Sequence, residues 1–333
     1  MKQRVAIVGA GVSGLTCGVV FAERGYRSAI FAQDIGQRTT SAAAGALWFP
    51  YDAEPVDKVI AWALQTHHAL VDLSRDSQTG VSMLELRSFS RTGETPIPDW
   101  ANSLGARRLH RSVLSSEYAS PARTEASLTI CPSVFKSGFT LNVPLMDTTI
   151  YLDYLAKRFV AAGGSIHGNM RFERLEDVGR EFDLVINCSG IGAKTLVADV
   201  GLEPHRGQVA IVPKIDNLSC AIVCDDAPLM YTIPRTNDCV FGGTNEVSGN
   251  CAVDPTSTSR IVAECSRVLN IDKPRVLDER VGLRPFRKLG VRLDRGRLRD
   301  GRTVLHNYGH GGSGFTLSWG CANKVFQLAQ NVR

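Results

Sequence analysis

The apolar and small residues at the N-terminus predict a strand, a glycine-rich turn, a helix and a second strand. The apolar run Val5–Val8 is short and β-branched at two positions, which is typical of a buried strand in a parallel sheet. The turn Gly9–Gly14 follows directly, and the next segment, Leu15–Arg24, predicts a helix that Gly25 ends. A second apolar run, Ser28–Ala32, completes a β-turn-α-β unit.

The pattern predicts further elements of the same kind towards the C-terminus. Asp147 is a candidate N-cap for a helix over Thr148–Ala162. The run Asp183–Ile186 predicts another buried strand. Near the end, Val304–Leu305 predicts a short strand, and a second glycine loop leads into an amphipathic helix over Phe315–Gln330.

These elements predict an α/β plus α+β fold in which two domains are interleaved along the sequence. Residues 1–47, 142–195 and 286–333 form the predicted Rossmann-like, dinucleotide-binding domain. Residues 48–141 and 196–285 are richer in Thr, Val, Ser and Pro, with frequent turns. That composition predicts a substrate domain built on a mixed or antiparallel sheet.

Each glycine of the first loop has its own expected task. Gly9 permits a tight turn out of the strand, Gly11 lets a pyrophosphate approach the backbone, and Gly14 lets the helix pack closely on the strand. The N–H groups at the helix start, near Val12 and Ser13, then face the phosphates. The alternative is a glycine-rich turn without a ligand, which the flanking strand and helix disfavour.

The acidic residue that usually binds the ribose hydroxyls is displaced in this sequence. Gln33 stands at the expected position after the second strand, and Asp34 follows one step later. Arg38 is the next basic residue, so the pattern does not favour a 2′-phosphate. The ribose contact stays open between these residues.

Composition limits the classes of partner that we expect for the chain. The 333 residues carry a net charge of +5 without a dense Lys/Arg block, so nucleic acid is not expected. No stretch approaches the ~20 apolar residues of a membrane-spanning helix, and the termini suggest no signal peptide or peroxisomal address. Nine cysteines lack any Cys-x-x-Cys pair, which predicts no metal site and reduced thiols in a cytoplasmic protein. The pairs His67-His68 and Arg107-Arg108 are expected at the surface.

The segment Arg38–Trp48, R-T-T-S-A-A-A-G-A-L-W, combines hydroxyl donors with a run of small residues. Small side chains are needed where a flat ring approaches the backbone, and equally where a helix packs on a neighbour. With five other motifs, the segment resembles the D-amino-acid oxidase family: Ile186–Gly190, Arg206–Gln208, Gly242–Thr244, Gly282–Pro285 and His306–Gly314, with Trp319–Cys321 following. These motifs follow the family's order through most of the chain.

The resemblance implies a non-covalently bound FAD and makes the dinucleotide-binding domain an FAD-binding domain. The residues expected at the cofactor are Gly9, Gly11, Val12, Ser13, Gly14, Asp34, Arg38, Thr39, Thr40, Ser41, Gly45, Ala46, Leu47, Ser189, Gly190, Gly309, Gly311, Gly312, Ser313, Gly314, Phe315 and Thr316. The helix start after the second loop is expected to stabilise the negative charge of the reduced flavin. His310 is expected to be a structural hydrogen-bonder and not a base.

An α-amino acid substrate offers a carboxylate, an ammonium group and a hydrogen on Cα. A planar bidentate cation suits the carboxylate, and the resemblance assigns Arg284 to it, with Arg287 as the fallback. The resemblance also implies that the Tyr231 hydroxyl reaches the carboxylate and that the Gly312 carbonyl accepts from the amine.

Two departures from the family bear on the substrate. A second site tyrosine is missing from the short segment before Tyr231 and from the position after Gly242–Thr244, where this chain has Asn245. Asn245 is uncharged, which argues against an acidic substrate, and Phe49 is a candidate apolar wall. We therefore expect a neutral substrate and a short lid.

The expected activity is oxidative deamination of a neutral D-amino acid to a 2-oxo acid, ammonia and hydrogen peroxide, by hydride transfer from Cα to flavin N5 with oxygen as acceptor. The alternatives are a related oxidase or dehydrogenase for glycine, sarcosine or a cyclic imino acid with another electron acceptor, an NAD-binding protein, and a non-catalytic flavoprotein. A homodimer is possible, and no metal is expected.

Overall fold

The computed structural model describes residues 3–51, 53–94, 96–109 and 135–330. The helices are α1 (Val12–Glu23), α2 (Val56–Leu73), α3 (Asp99–Ser103), α4 (Thr148–Ala161), α5 (Ala193–Leu196), α6 (Pro255–Leu269) and α7 (Gly314–Gln330). The strands are β1 (Arg4–Val8), β2 (Arg27–Phe31), β3 (Val81–Ser90), β4 (Arg107–Arg108), β5 (Ser137–Met146), β6 (Ser165–His167), β7 (Leu184–Asn187), β8 (Leu202–Pro213), β9 (Cys220–Cys224), β10 (Met230–Pro234), β11 (Asp238–Gly242), β12 (Glu246–Val247), β13 (Asp278–Arg287), β14 (Arg295–Arg297) and β15 (Thr303–His306).

The first sheet is the dinucleotide-binding type that the N-terminal pattern predicts. Its strand order is β14-β15-β7-β1-β2-β6, and every pair is parallel except β14 with β15. Its central strands are mostly apolar and lie between two buried clusters, and Val5, Ile7 and Ile186 have no exposed surface. The predicted α/β class is confirmed here.

The second sheet is mixed, as predicted, and mostly antiparallel. Its order is β12-β8-β11-β10-β9-β3-β5-β4, with β13 also paired to β8. The exception is the parallel pair of β3 and β9. Strand β8 is long enough to pair with β11, β12 and β13, so it connects most of the strands around the cavity described below.

The helices that flank the first sheet begin and end close to where the sequence predicts. Asp147 caps α4, its carboxylate accepting a hydrogen bond from the Thr149 N–H at 3.1 Å. Helix α1 packs against α4 and α7, and α2 packs against α7. Helix α7 thereby connects α1, which packs on the first sheet, with α2, which packs on the second sheet.

The division into two domains stays a prediction. The strands of the first sheet fall in residues 1–47, 142–195 and 286–333, and the second sheet draws on 48–141 and 196–285. Strands β5 and β13 cross the proposed boundaries at 141/142 and 285/286. We retain the division as a proposal on the strength of this strand membership.

Within the described part of the chain, no cysteine forms a disulfide; Cys131 lies outside it. None of the described helices has the length and hydropathy of a membrane span. Arg107 and Arg108 are exposed, as expected.

His67 is buried, contrary to the surface position predicted for the His67-His68 pair. Its ring packs edge-on against Trp48 with centroids 4.9 Å apart, while His68 is exposed. Neither ring nitrogen has a hydrogen-bond partner among the described residues. Two adjacent polar residues suggested a solvent face, but on helix α2 they point in different directions, and His67 lies on the buried side with Ala63 and Leu70.

We expect this imidazole to make the protein sensitive to acid. Burial and the neighbouring His68 lower the pKa of His67. The folded chain therefore keeps His67 neutral while the unfolded chain takes up a proton, so stability present above about pH 6.5 is lost as the pH falls below it. Replacing His67 by phenylalanine should reduce the loss of unfolding free energy between about pH 7.5 and about pH 5 by about 1 kcal/mol.

Urea titrations of the purified protein at the two pH values measure this difference. His306 and His310, whose pKa values burial lowers to about 4, keep part of the acid sensitivity in the variant. His167→Phe is the matched control because that imidazole is exposed and lies on β6, not on helix α2. An unchanged pH dependence in His67→Phe would contradict the prediction.

Candidate active site

A cavity of about 950 Å³ lies between the carboxyl ends of the parallel strands and one face of the mixed sheet. Open α/β sheets hold their ligands at such strand ends. The first glycine loop, the small-residue segment and the C-terminal glycine loop form one part of the lining. Strands β8, β10 and β13 form the other part.

The first glycine loop turns out of β1 against the end of β7. Gly9 has a φ of 111°, a backbone region that favours glycine, and it lines the cavity. A Cβ on Gly14 would lie directly against the Gly9 carbonyl oxygen, so α1 can begin this close to the loop because Gly14 has no side chain. Gly14 supports the loop from behind and does not line the cavity.

The start of α1 opens onto the cavity. Gly11 has an extended backbone that any residue could adopt, and a Cβ there would approach Ser41 Oγ at 3.0 Å. The Val12 N–H donates to the same hydroxyl at 3.0 Å. Gly11, Val12, Ser13 and Ser41 all line the cavity, which leaves room for an anion at the positive end of the helix.

The small-residue segment packs on a neighbouring strand and also faces the cavity, so a flat ring at its backbone stays a prediction. Residues Thr40–Ala43 form a 3₁₀ turn that packs on β13, where a Cβ on Gly282 would meet Thr40 and Ala43 at 3.3 Å. Leu47 bridges to Leu145 at the edge of the mixed sheet. The segment also faces the cavity through Arg38, Thr39, Thr40, Ser41, Gly45, Ala46 and Leu47.

The end of β2 brings Gln33 and Asp34 to the cavity together. Asp34 lies 3.9 Å from Arg38 in an exposed ion pair, which is too weak to fix either side chain firmly. Ser189 and Gly190 line the opposite wall from the end of β7.

The C-terminal glycine loop needs left-handed backbone at Gly309 (φ 83°) and Gly311 (φ 53°). His310 between them is buried, its Nε2 lies 3.0 Å from Asn307 Oδ1, and burial lowers its pKa to about 4. The neutral imidazole therefore acts as a structural hydrogen-bonder, as expected. Gly311, Gly312, Gly314, Phe315 and Thr316 line the cavity, whereas Gly309 does not.

Two hydroxyls of this loop hold the segment Phe49–Tyr51, which we call the clamped segment. Ser313 Oγ accepts from the Tyr51 N–H at 2.7 Å and donates to the Tyr51 carbonyl. Thr316 Oγ1 accepts from the Phe49 N–H at 3.1 Å and donates to the Phe49 carbonyl at 3.0 Å. Ser313, expected at the cofactor, faces the clamped segment and not the cavity.

The chain's own geometry fits a dinucleotide. A Cβ on Gly11 would enter the space beside Ser41, and the starts of α1 and α7 both face the same cavity. Two helix starts supply partial positive charge at two places along it, which suits a pyrophosphate at one and a flavin's electron-rich edge at the other.

Arg284 extends from β13 over the neighbouring strand. A Cβ on Gly207 of β8 would lie directly against the Arg284 guanidinium, so glycine makes room for the side chain. The guanidinium donates to the Thr244 carbonyl at 3.0 Å and to Asn245 Oδ1 at 3.3 Å. Both acceptors are uncharged, and no acidic partner of Arg284 is present among the described residues. A cation held this way is prepared for an external carboxylate.

Tyr231 lies on β10 beside this cation. Its ring rests over Gly242 of β11, where a Cβ would collide with the phenol. Burial raises the pKa of Tyr231, which Arg284 partly offsets, so the hydroxyl stays protonated and able to donate. Two glycines on neighbouring strands thus let Arg284 and Tyr231 lie flat against the sheet.

Arg287, the fallback candidate, points elsewhere. Its Nε bonds Asp199 Oδ2 at 2.8 Å and its Nη1 donates to the Gly290 carbonyl. Asp199 also accepts from Tyr308 at 2.8 Å. Arg287 is therefore compensated by a carboxylate outside the cavity, and the geometry favours Arg284.

Tyr51 is the site residue that sequence reasoning missed. Its hydroxyl accepts from Asn245 Nδ2 at 3.0 Å, and a Cβ on Gly312 would lie 2.5 Å from its ring. The clamped segment thus brings a phenol to Asn245, which in turn contacts Arg284. Phe49 lines the cavity beside it, and Asn245 lies exposed between Tyr51 and Arg284. The Tyr51–Ser313 contact spans 262 residues, so local sequence carried no signal for it.

Comparison with known proteins agrees with this geometry. The family model described as DAO, FAD dependent oxidoreductase, matches residues 4–328. A D-amino-acid oxidase of Streptomyces coelicolor is 39% identical over 98% of this chain and 96% of its own length. One from Rubrobacter xylanophilus is 36% identical over 98% of this chain and 95% of its own length.

Among solved structures, a glycine oxidase from Geobacillus kaustophilus covers 100% of this chain and 96% of its own, with a TM-score of 0.80 and 18% identity. That likeness concerns the fold. The sequence match extends over nearly the whole chain and includes both glycine loops. The chain belongs to the DAO family of FAD-dependent oxidoreductases.

Proposed function

We propose that this protein oxidises the α-amine of D-amino acids with non-acidic, chiefly neutral, side chains, giving a 2-oxo acid, ammonia and hydrogen peroxide. The observation that carries the proposal is the Arg284 guanidinium, held over Gly207 by neutral acceptors and open to the cavity. The similarity to the D-amino-acid oxidases of Streptomyces coelicolor and Rubrobacter xylanophilus supports a D-amino acid as the substrate.

Non-covalent FAD is the cofactor, and we assign its phosphates to the Gly9–Gly14 loop with Ser41. We assign the ribose to Gln33 or Asp34. We assign the flavin to Gly45–Leu47 and to the start of α7 at Gly314. When bound, FAD accepts a hydride from the substrate Cα and passes its electrons to oxygen. Gly14, Gly309 and Ser313 support the cavity walls from behind in this assignment.

The residues of the chain act by binding and orienting the substrate. Arg284 binds the carboxylate through two N–H groups, and the Tyr231 hydroxyl donates to the same carboxylate. The Gly312 carbonyl accepts from the amine. These contacts fix Cα, and holding a reactant in one orientation can supply several kcal/mol of rate acceleration.

His310 takes no proton from Cα in this scheme. Its pKa of about 4 makes it a poor acceptor near neutral pH, and its Nε2 already contacts Asn307. Asn245 presents an uncharged amide beside Arg284, and the Phe49 ring lines the same cavity. This arrangement supports a non-acidic substrate.

Anaerobic mixing of the FAD-loaded protein with D-amino acids tests the proposal. We expect D-alanine, D-valine or D-proline to bleach the flavin absorbance and their L-enantiomers to leave it unchanged. Reoxidation by air should release hydrogen peroxide in proportion to the substrate consumed. Bleaching by glycine or sarcosine alone, or faster reoxidation by a quinone than by oxygen, would replace the proposal by one of the related activities.

Replacing Tyr51 by phenylalanine should weaken substrate binding without loss of cofactor. The variant keeps the ring against Gly312 but removes the acceptor of the Asn245 amide, so Asn245 holds Arg284 less firmly. One such hydrogen bond is worth about 1 kcal/mol, which predicts a KM about fivefold higher at similar kcat.

Steady-state peroxide release with D-alanine measures both constants. Tyr154→Phe is the matched control, because Tyr154 bonds Arg158 at 3.2 Å away from the cavity. An unchanged KM in Tyr51→Phe, or an equal rise in the control, would contradict the role given to the Tyr51 hydroxyl.

A further inference from the structure

Two adjacent acidic residues at the end of β9 have different environments. Asp226 Oδ2 accepts hydrogen bonds from Ser90 Oγ at 2.8 Å and from the Arg91 N–H at 2.6 Å. These bonds lower the pKa of Asp226 and give it a structural task at the end of β3. Asp225, the preceding residue, lines the cavity.

Asp225 continues the wall that carries Tyr231. Val223 pairs with Tyr231 across β9 and β10, and both line the cavity. Asp225 directly follows the last residue of β9 and lines the same cavity as Val223. Its counterpart across the short turn is Leu229, which also lines the cavity.

The charge of Asp225 is uncompensated among the described residues. No ion pair or hydrogen bond from its carboxylate to that part of the chain is present. Arg91, whose backbone N–H bonds the neighbouring Asp226, directs its guanidinium to Glu264 at 2.7 Å. Although Asp225 is open to solvent at the cavity mouth, surrounding protein and the charge of Asp226 raise its pKa to about 6. It is therefore an anion above that pH and can attract a cation entering the cavity.

The distance from Arg284 to Asp225 matches an extended substrate. Gly207, beneath the Arg284 guanidinium, is on β8, and β11 and β10 separate β8 from β9. Three strand spacings therefore separate Gly207 from Asp225, roughly 14 Å. An extended lysine spans about 7 Å from carboxylate to ammonium, and with an ion pair at each end the assembly reaches roughly 13 Å.

We propose that Asp225 is a specificity-determining residue that binds a cationic group at the far end of the substrate side chain. The class of substrate it selects is D-amino acids of the length of lysine, ornithine or arginine. This inference rests on the proposed function, because Arg284 must first hold the α-carboxylate. Short neutral substrates such as D-alanine do not reach Asp225, so their kcat/KM does not depend on it.

The test compares D-lysine with D-norleucine, which has the same carbon chain and no ammonium group. For the FAD-loaded wild-type enzyme at about pH 8, where Asp225 is ionised, we expect a higher kcat/KM for D-lysine. In Asp225→Asn the ratio of the two values should fall about threefold to tenfold, the range for an ion pair that is partly shielded from water. D-Norleucine and D-alanine should change less than about twofold.

Three further variants distinguish a direct contact between Asp225 and the substrate from other effects of the substitution. Asp225→Glu should retain most of the preference for D-lysine. Asp216→Asn removes the same charge from an exposed loop and should leave the ratio unchanged. Asp225→Leu should behave as Asp225→Asn does, because both lack the anion.

The outcomes are distinguishable. If the ratio of kcat/KM for D-lysine to kcat/KM for D-norleucine is unchanged in Asp225→Asn, or if both values fall equally, the role of Asp225 is overturned. The proposed oxidase activity is unaffected by either outcome. The same shift in Asp216→Asn would assign the preference to net charge and overturn it as well. If the FAD-loaded wild-type enzyme is bleached by no D-amino acid, the proposed function fails and this inference fails with it.

Discussion

Arg284→Lys is expected to lower kcat/KM for D-amino acids by about 100-fold to 1,000-fold while the FAD content stays at the wild-type level. Lysine keeps the positive charge but lacks the planar pair of N–H groups that matches a carboxylate. The ammonium group would also lose the contacts with the Thr244 carbonyl and Asn245 that hold the guanidinium over Gly207. Loss of a desolvated, bidentate partner typically costs several kcal/mol, of which the retained charge recovers a part.

Two measurements check this result. Stopped-flow bleaching gives the rate of reduction at saturating D-alanine, and titration with propionate, its non-oxidisable analogue, gives carboxylate affinity through the flavin spectrum. The matched control is Arg280→Lys, on the same strand and face, where the guanidinium bonds Asp278 and the Ala42 carbonyl. If Arg284→Lys binds propionate with wild-type affinity, Arg284 does not bind the substrate carboxylate.

Gly11→Val is expected to yield a folded protein that no longer retains FAD. The backbone of Gly11 suits any residue, so the valine adds no strain to the loop. Its side chain would project toward Ser41, into the space we assign to the pyrophosphate, and the dissociation constant for FAD should rise at least about 100-fold. Gly14→Ala differs, because its Cβ would meet the Gly9 carbonyl and disturb the fold itself.

The absorbance ratio of flavin to protein after dialysis, together with far-ultraviolet circular dichroism, separates these outcomes. Gly93→Ala is the control, since nothing lies within 4 Å of a Cβ placed there. A Gly11→Val protein that keeps stoichiometric FAD would contradict the placement of the pyrophosphate at this loop. A Gly11→Val protein that unfolds would show that the loop, and not the ligand, limits the size of this residue.

Local patterns were sufficient to predict the elements to which we assign the cofactor. The run Val5–Val8, the glycines after it and the helix that follows are contiguous, and their spacing alone fixes a tight turn and a close helix. Asp147 capped its helix for the same reason, because the capping bond joins residues two apart. The mixed character of the second sheet followed from composition and turn frequency.

Features that depend on contacts distant in sequence could not be found this way. Tyr51 reaches Asn245 across 194 residues, and the pattern of neither segment signals the meeting. His67 was misjudged because polarity was considered without helical phase. The register that pairs Val223 with Tyr231, and the cavity that Asp225 shares with both, also require the assembled sheet. Arg284 was identified from the family resemblance, whereas its uncompensated charge emerges from the fold alone.

The clamped segment has a consequence for how this enzyme can change. Phe49 and Tyr51 are fastened by backbone hydrogen bonds to Ser313 and Thr316 at the start of the C-terminal helix. A substitution that reshapes this wall to admit a new substrate also moves the helix end beside the flavin site, so selectivity gained there is coupled to cofactor retention. The turn after β9 carries no such tie to that helix among the described residues. Apart from Asp226, which holds the end of β3, its side chains can vary at little cost to the holoenzyme. Altered substrate range should therefore evolve, and be engineered, through that turn.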